Sequence, residues 1–193
     1  GLAVAVLIVV LSVMNGFEYE LQQRILGMAS HASIHGYDGP LEDWRSLRQR
    51  ALAQAEVTAA APFVEGRALA AAGDSAAGVS VRGIDPRLEA TVSAVEGFMQ
   101  SGRLDSLEPG AFRIVIGRGI ADALGVGIGD EVVLVLARGM VTPVGIRPRL
   151  RTFEVSGVFE AGMYEYDRGL AFVHFDDAAL LFGTAGRASG LRL

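Results

Sequence analysis

EVVLVLARGMVTPVGIRPRLRTFEVSGVF, residues 131–159, sets two strand-like stretches around a proline-bearing centre. Residues 131–137 form an apolar run behind Glu131. Phe153, Val155, Gly157 and Phe159 alternate with Glu154, Ser156 and Glu160, the period of a half-buried strand. The two stretches are expected to pair antiparallel. Pro143 and Pro148 between them cannot donate ladder hydrogen bonds, so part of the hairpin is expected to project unpaired. Arg138, Arg147, Arg149 and Arg151 carry four positive charges, with no acid between Val132 and Phe153, and Met140, Val141, Val144 and Ile146 add apolar contacts. In a chain of net charge −5 this combination predicts a docking surface. The plainer alternative is a solvated turn whose arginines serve solubility.

Outward from this hairpin, residues 113–116 read as a strand and 120–124 as a short helix ended by Gly125, with GIGD (127–130) turning into the first hairpin strand. Downstream, 170–175 reads as a strand, Asp176 as a helix start, 178–182 as that helix and 189–193 as a last strand. Upstream, 57–69 and 79–84 read as strands around the loop AAAGDSAAG. Asp85 can cap a short helix that Pro86 opens and that runs through Val92, followed by an exposed linker, GRLDSLEPG, to Gly110; a new unit is expected near Phe98. Further back, 32–37 reads as a strand. Gly39-Pro40 is expected to open a helix with Leu41, Trp44, Leu47, Ala51 and Ala55 on one face, Glu42 and Asp43 at its start and Arg48 and Arg50 near its end. The order is β-α-β-β, a mostly β insertion, then β-α-β: an α+β chain with two lobes.

At the start, GLAVAVLIVVLSVMNG (1–16) is apolar from Leu2 to Met14 but for Ser12. At about 1.5 Å per helical residue such a run covers roughly 20 Å, short of a hydrocarbon core of about 30 Å. With no initiator Met, basic leader or small-residue cleavage site, it does not read as a signal peptide. It is expected to be the outer end of a transmembrane helix severed upstream; the alternative is a buried helix of a soluble core. Phe17, Leu21, Ile25 and Met28 continue an apolar stripe at helical period, which predicts an amphipathic helical stalk reaching into water.

With 51% apolar and 20% charged residues, the 193-residue chain can bury a real core. Its negative charge, without a large basic cluster, argues against a nucleic-acid partner. All 17 cations are arginine, a compositional bias. The lack of cysteine removes disulfides and thiolate metal sites and fits an oxidising compartment.

Candidate chemistry is sparse. Ile116-Gly-Arg-Gly-Ile-Ala-Asp-Ala follows a strand and opens a helix, as a dinucleotide-binding turn would, but Asp122 stands where the third glycine belongs and would repel pyrophosphate. Ser75 falls in a hairpin pattern rather than a strand-to-helix elbow. His31 and His35 lie in an extended pattern with no carboxylates to complete a metal set, and His174 with Asp176 reads as a surface hydrogen bond. No constellation supports catalysis, so neither an enzyme nor a cofactor or metal is expected.

Five stretches together resemble the periplasmic domain of the lipoprotein-releasing ABC transporter permeases, the LolC/LolE family: VLSVMNGFEYELQQRILGM (10–28), VRGIDP (81–86), LEPGAFRIVIGRGIADALGVGIGDEV (107–132), TPVGIRPRLRTFEVSGVF (142–159) and GMYEYDRGLAFVHFDDAALL (162–181). They occur in the family's order across nearly the whole chain. The first is highly specific, while the GDEV and VRGIDP pieces also fit broader relatives.

The resemblance implies an inner-membrane machine in which two permease subunits, identical or sibling, work with a separate cytoplasmic ATPase subunit. It extracts lipoprotein cargo from the membrane and passes it to the periplasmic carrier LolA. It implies a Porter-like lobe (29–97 and 169–193), an inserted β-rich Sabre-like lobe (98–168) and, at 1–28, the end of the first transmembrane helix and a stalk. It also implies a carrier-docking loop over 137–148, with Arg138, Met140, Val141, Thr142, Pro143, Val144, Gly145, Ile146 and Pro148, and a pad at Leu150 and Arg151. Val144 stands where the family often has Met, and Leu150 where it has a polar residue. Met14, Phe17 and Leu21 match the region lining the family's lipid cavity. The alternatives are a MacB-like efflux or FtsX-like cell-division permease of the same superfamily, and a soluble hydrolase using Ser75 or His174.

Overall fold

The structure, a computed structural model, describes the backbone of residues 2–28, 32–37, 39–142 and 145–193, and their side chains except at Leu2, Ala5, 18–28 and 137–148. The chain opens with helix α1 (Leu2–Met28). Among its described side chains the large apolar ones do not join the core: Val4, Leu7, Val9 and Val13 are more than half exposed. That excludes the buried-helix alternative for this stretch. Among the described residues no helix is long and apolar enough to cross a membrane.

The body alternates strands and short helices: β1 (Ser33–His35), α2 (Trp44–Leu52), β2 (Ala61–Ala72), β3 (Ser75–Ile84), α3 (Pro86–Glu89), β4 (Met99–Gly102), β5 (Arg113–Gly117), α4 (Arg118–Leu124), β6 (Glu131–Thr142), β7 (Gly145–Phe159), α5 (Tyr164–Gly169), β8 (Leu170–His174), α6 (Phe175–Phe182) and β9 (Gly190–Arg192). Local signals set many of these ends. Asp85 caps α3 by accepting from the N–H groups of Arg87 and Leu88, with Pro86 in the first turn. Gly125 ends α4 in the left-handed region (φ +70°), which a glycine enters without a side-chain clash.

Several expected boundaries move. Pro40 does not open α2: Leu41 is held extended by paired bonds with Ala188 (2.7 and 3.2 Å), and the helix starts at Trp44 behind the Asp43 cap. The loop AAAGDSAAG is zipped to a two-residue turn at Gly73-Asp74, because β2 and β3 pair from Phe63↔Ile84 out to Ala72↔Ser75. The linker GRLDSLEPG is not wholly exposed. Leu104 and Leu107 are buried and pack with Val95, Phe159 and Phe172 in a small second core.

Among the described residues nine strands form one sheet, ordered β1-β9-β2-β3-β8-β5-β7-β4. β6 pairs with both β7 and β2, so the ladder returns on itself as a ring: β2, β3, β8, β5, β7, β6 and back to β2. The main core is drawn from every strand of that ring, including Val64, Val81, Val173, Ile114, Val155 and Leu134, with Ile120 and Leu124 of α4 and Ala178 and Leu181 of α6. The alternation of each strand explains this: every second side chain faces the same way.

Candidate docking surface

Hairpin β6–β7 pairs in register from Glu131↔Glu154 to Leu136↔Arg149, breaks, and resumes from Met140↔Arg147 to Thr142↔Gly145. In the break Ala137, Arg138 and Gly139 stand opposite Pro148, which has no N–H to offer. The expectation of an unpaired projection is therefore corrected. The hairpin is paired to Thr142 and Gly145, with one bulge at Pro148. At its base β6 meets β2 over Val133, Leu134 and Val135, and β7 pairs with β5 from Glu154 to Phe159 and with β4 from Gly157 to Phe159. Beyond Leu136 and Arg149 the described residues pair only with each other, as a two-stranded arm. Pro143 and Val144 lie outside the described residues, as do the side chains of Arg138, Met140, Val141, Thr142, Ile146 and Pro148.

At the arm's root the two pad residues separate. Consecutive strand residues face opposite ways, so Leu150 and Arg151 lie on different faces of β7. Leu150 is 56% exposed and stands across from Val135, which in turn stands across from the half-exposed Leu69 of β2. These three make an apolar row on the outer face. On the other face, the guanidinium carbon of Arg151 lies 4.8 Å from the ring centre of Phe112, and that ring meets Phe153 edge-on at 5.7 Å. The guanidinium of Arg149 donates to the carbonyl of Leu181 at the end of α6 (3.3 Å). Sequence reasoning missed Leu69, Phe112 and the α6 contacts, because all depend on pairing between segments far apart in the chain.

On α1, Met14 and Phe17 are exposed, while the side chain of Leu21 lies outside the described ones.

The other candidates have local structural roles. The turn Gly117-Arg118-Gly119 joins β5 to α4 as expected, yet a Cβ on Gly117 would collide with the backbone of Asp167, and one on Gly119 with the side chain of Arg168. These glycines admit α5, and Arg118 pairs with Asp122 one turn on (2.9 Å). Ser75 starts β3 inside the tight hairpin. His174, not Asp176, caps α6: its Nδ1 accepts from the Asp176 N–H at 3.1 Å. His35 shares a hydrogen bond with the Ser33 hydroxyl, and His31 lies outside the described residues. Among the described residues no three His, Asp or Glu side chains gather as metal ligands would.

Comparison with known proteins accounts for this arrangement. The model of the MacB-like periplasmic core domain matches residues 1–190. The chain is 42% identical, over all 193 residues, to the lipoprotein-releasing system transmembrane protein LolC of Neisseria meningitidis serogroup B, and 40% identical to LolC of Xylella fastidiosa. It spans 46% of the length of each. The periplasmic region of MacB from Actinobacillus actinomycetemcomitans shares the fold, with a TM-score of 0.57 at 14% identity over 88% of this chain and 75% of that one. Members of the LolC/LolE family are transporter subunits and not enzymes. The chain therefore belongs to the MacB-like periplasmic core domains, within the LolC/LolE family, and is a periplasmic domain of an ABC permease.

Proposed function

We propose that this domain serves a permease that releases lipoproteins from the bacterial inner membrane and passes them to the periplasmic carrier LolA, and that the carrier docks on the arm of residues 137–148. The observation that carries this reading is the β6–β7 arm, which beyond Leu136 and Arg149 pairs only with itself among the described residues and is rooted among exposed apolar and cationic residues. Whole-chain similarity to proteins named LolC supports the cargo. In this reading Arg138, Met140, Val141, Thr142, Pro143, Val144, Gly145, Ile146 and Pro148 contact the carrier, with Leu150 and Arg151 beside them. Met14, Phe17 and Leu21 line the path of the lipid. Acyl chains lose about 0.8 kcal/mol per CH₂ on exposure to water, so the apolar cavity of a carrier must be held next to the exit before cargo is released. Partners are a second permease subunit, a cytoplasmic ATPase subunit and the membrane.

The lobe division follows the same reading. Strands β1, β9, β2, β3 and β8 come from residues 29–97 and 169–193, the Porter-like lobe. Strands β4, β5, β6 and β7 come from 98–168, the Sabre-like lobe. Residues 1–28 would be the end of the first transmembrane helix and its stalk.

Pull-down of LolA by the assembled permease tests the proposal. Replacing Pro143 and Val144 with Asp abolishes capture if the arm is the dock, and unchanged capture sinks it. The match to a MacB-like domain favours one other reading, an efflux or cell-division permease. Recovery of a coiled-coil adaptor, and no lipoprotein carrier, with the native complex would select it.

A further inference from the structure

Asp177 is fully buried in the first turn of α6, and backbone donors from the segment entering β5 occupy both its oxygens. The N–H of Gly110 donates to Oδ1 at 2.8 Å and that of Phe112 to Oδ2 at 3.1 Å. Charge-assisted bonds of this kind are among the stronger ones in proteins. They clamp an unusual piece of backbone: Gly110 has φ +77° and Phe112 φ +49°, a left-handed conformation that a phenylalanine rarely adopts. The Phe112 carbonyl is also held, accepting from the Glu154 N–H at 2.9 Å. The clamped residue is the one whose ring lies between Phe153 and the guanidinium of Arg151.

We propose that Asp177 is a positioning residue of the docking surface: by fixing residues 110–112 it makes the Phe112 ring a seat that holds Arg151 ready for carboxylates on the carrier. This inference rests on the arm being the dock. Stacking engages the face of a guanidinium and leaves its in-plane N–H groups free to bind carboxylate in a bidentate fork. A seated arginine also loses less freedom on binding than a loose one. Arg149 is anchored by the other end of the same helix, through the Leu181 carbonyl. Both arginines at the root of the arm thus take their positions from α6, and the partner they fit is an acidic protein surface.

The test titrates purified LolA onto the assembled permease in nanodiscs at low and high salt. The variants are Arg151→Ala, Phe112→Leu and Asp177→Asn, with the latter two also combined with Arg151→Ala. Each single variant is expected to weaken binding about three- to fivefold at low salt and less at high salt, the range of a cation–π contact. Each combination is expected to bind no more weakly than Arg151→Ala alone. Phe112→Leu keeps the apolar volume and carries the test if Asp177→Asn does not fold. Equal losses with and without Arg151, or no loss in a folded variant, overturn the seat while leaving the dock intact. If Arg151→Ala and the Pro143 and Val144 substitutions all leave binding unchanged, the dock itself is wrong and the seat falls with it.

Discussion

Arg192 on the last strand and Glu89 at the end of α3 form an ion pair in the interior, both side chains almost wholly shielded from water. The Ser93 hydroxyl donates to the same Glu89 oxygen at 2.8 Å. Burial lowers the Arg192 pKa from its usual value, and Glu89 opposes that shift. A base whose folded-state pKa is depressed binds fewer protons than it does unfolded. Its charge is therefore a standing cost at neutral pH, relieved only as pH rises through the folded value. Removing one partner, by Glu89→Leu or Arg192→Met, is expected to cost about 3–5 kcal/mol, and replacing both far less. Urea unfolding of the four proteins measures the difference.

Gly117→Ala tests the packing of α5 on the strand-to-helix turn. Its Cβ would come within 2.7 Å of the Asp167 carbonyl carbon and 2.8 Å of its Cα, backbone atoms that cannot swing aside. A loss of about 1–3 kcal/mol is expected, as for other overpacked sites. An unchanged urea midpoint would contradict the assigned role.

Leu134 and Leu150 sit on neighbouring strands with opposite fates, the first fully buried and the second 56% exposed. Leu134→Ala is expected to cost about 2–5 kcal/mol through the cavity it leaves. Leu150→Ala is expected to stay within about 0.5 kcal/mol of the parent. Any larger effect of Leu150 belongs in carrier binding, and thermal unfolding run beside a binding titration separates the two.

Arg103 grips Asp105 with two hydrogen bonds, Nε to Oδ1 at 2.9 Å and Nη2 to Oδ2 at 2.6 Å. The bonds hold the Asp105 carboxyl below its ordinary value of 3.8. The favourable contribution is present above that ordinary value and is lost as pH falls through the depressed one. A carbon-13 carboxyl titration should find Asp105 below its reference, and Arg103→Ala should return it there. The pair is exposed, so the effect on unfolding should be slight.

What the sequence revealed is what short-range chemistry controls. The Asp85 cap, the Gly125 stop, the strand at 113–116 and the antiparallel partnership of the two hairpin strands were each readable from a few adjacent residues, although the partner of 131–136 is 149–154 and residues 155–159 pair with β5 and β4 instead. The Pro40 reading failed because a bridge to Ala188, far along the chain, outcompeted a local helix signal. Leu104 and Leu107 read as surface because charged neighbours masked them, although Phe159 and Phe172 bury them. At the proposed docking surface the prolines and arginines marked out the hairpin, but not its pairing as far as Thr142 and Gly145. The supports beneath it, Asp177 and Phe112, were not, since only the tertiary fold sets α6 beside residues 110–112.

The ring of strands also dictates an order of events during synthesis. β8 lies between β3 and β5, and β9 between β1 and β2, so two late strands of this domain are wedged among earlier ones. Until residues 170–192 leave the ribosome, β1 lacks the β9 partner it pairs with, β3 lacks a neighbour on one side and β5 cannot reach β3. The nascent domain thus waits with open sheet edges, and residues 170–192 act as the keystone that lets the arch close.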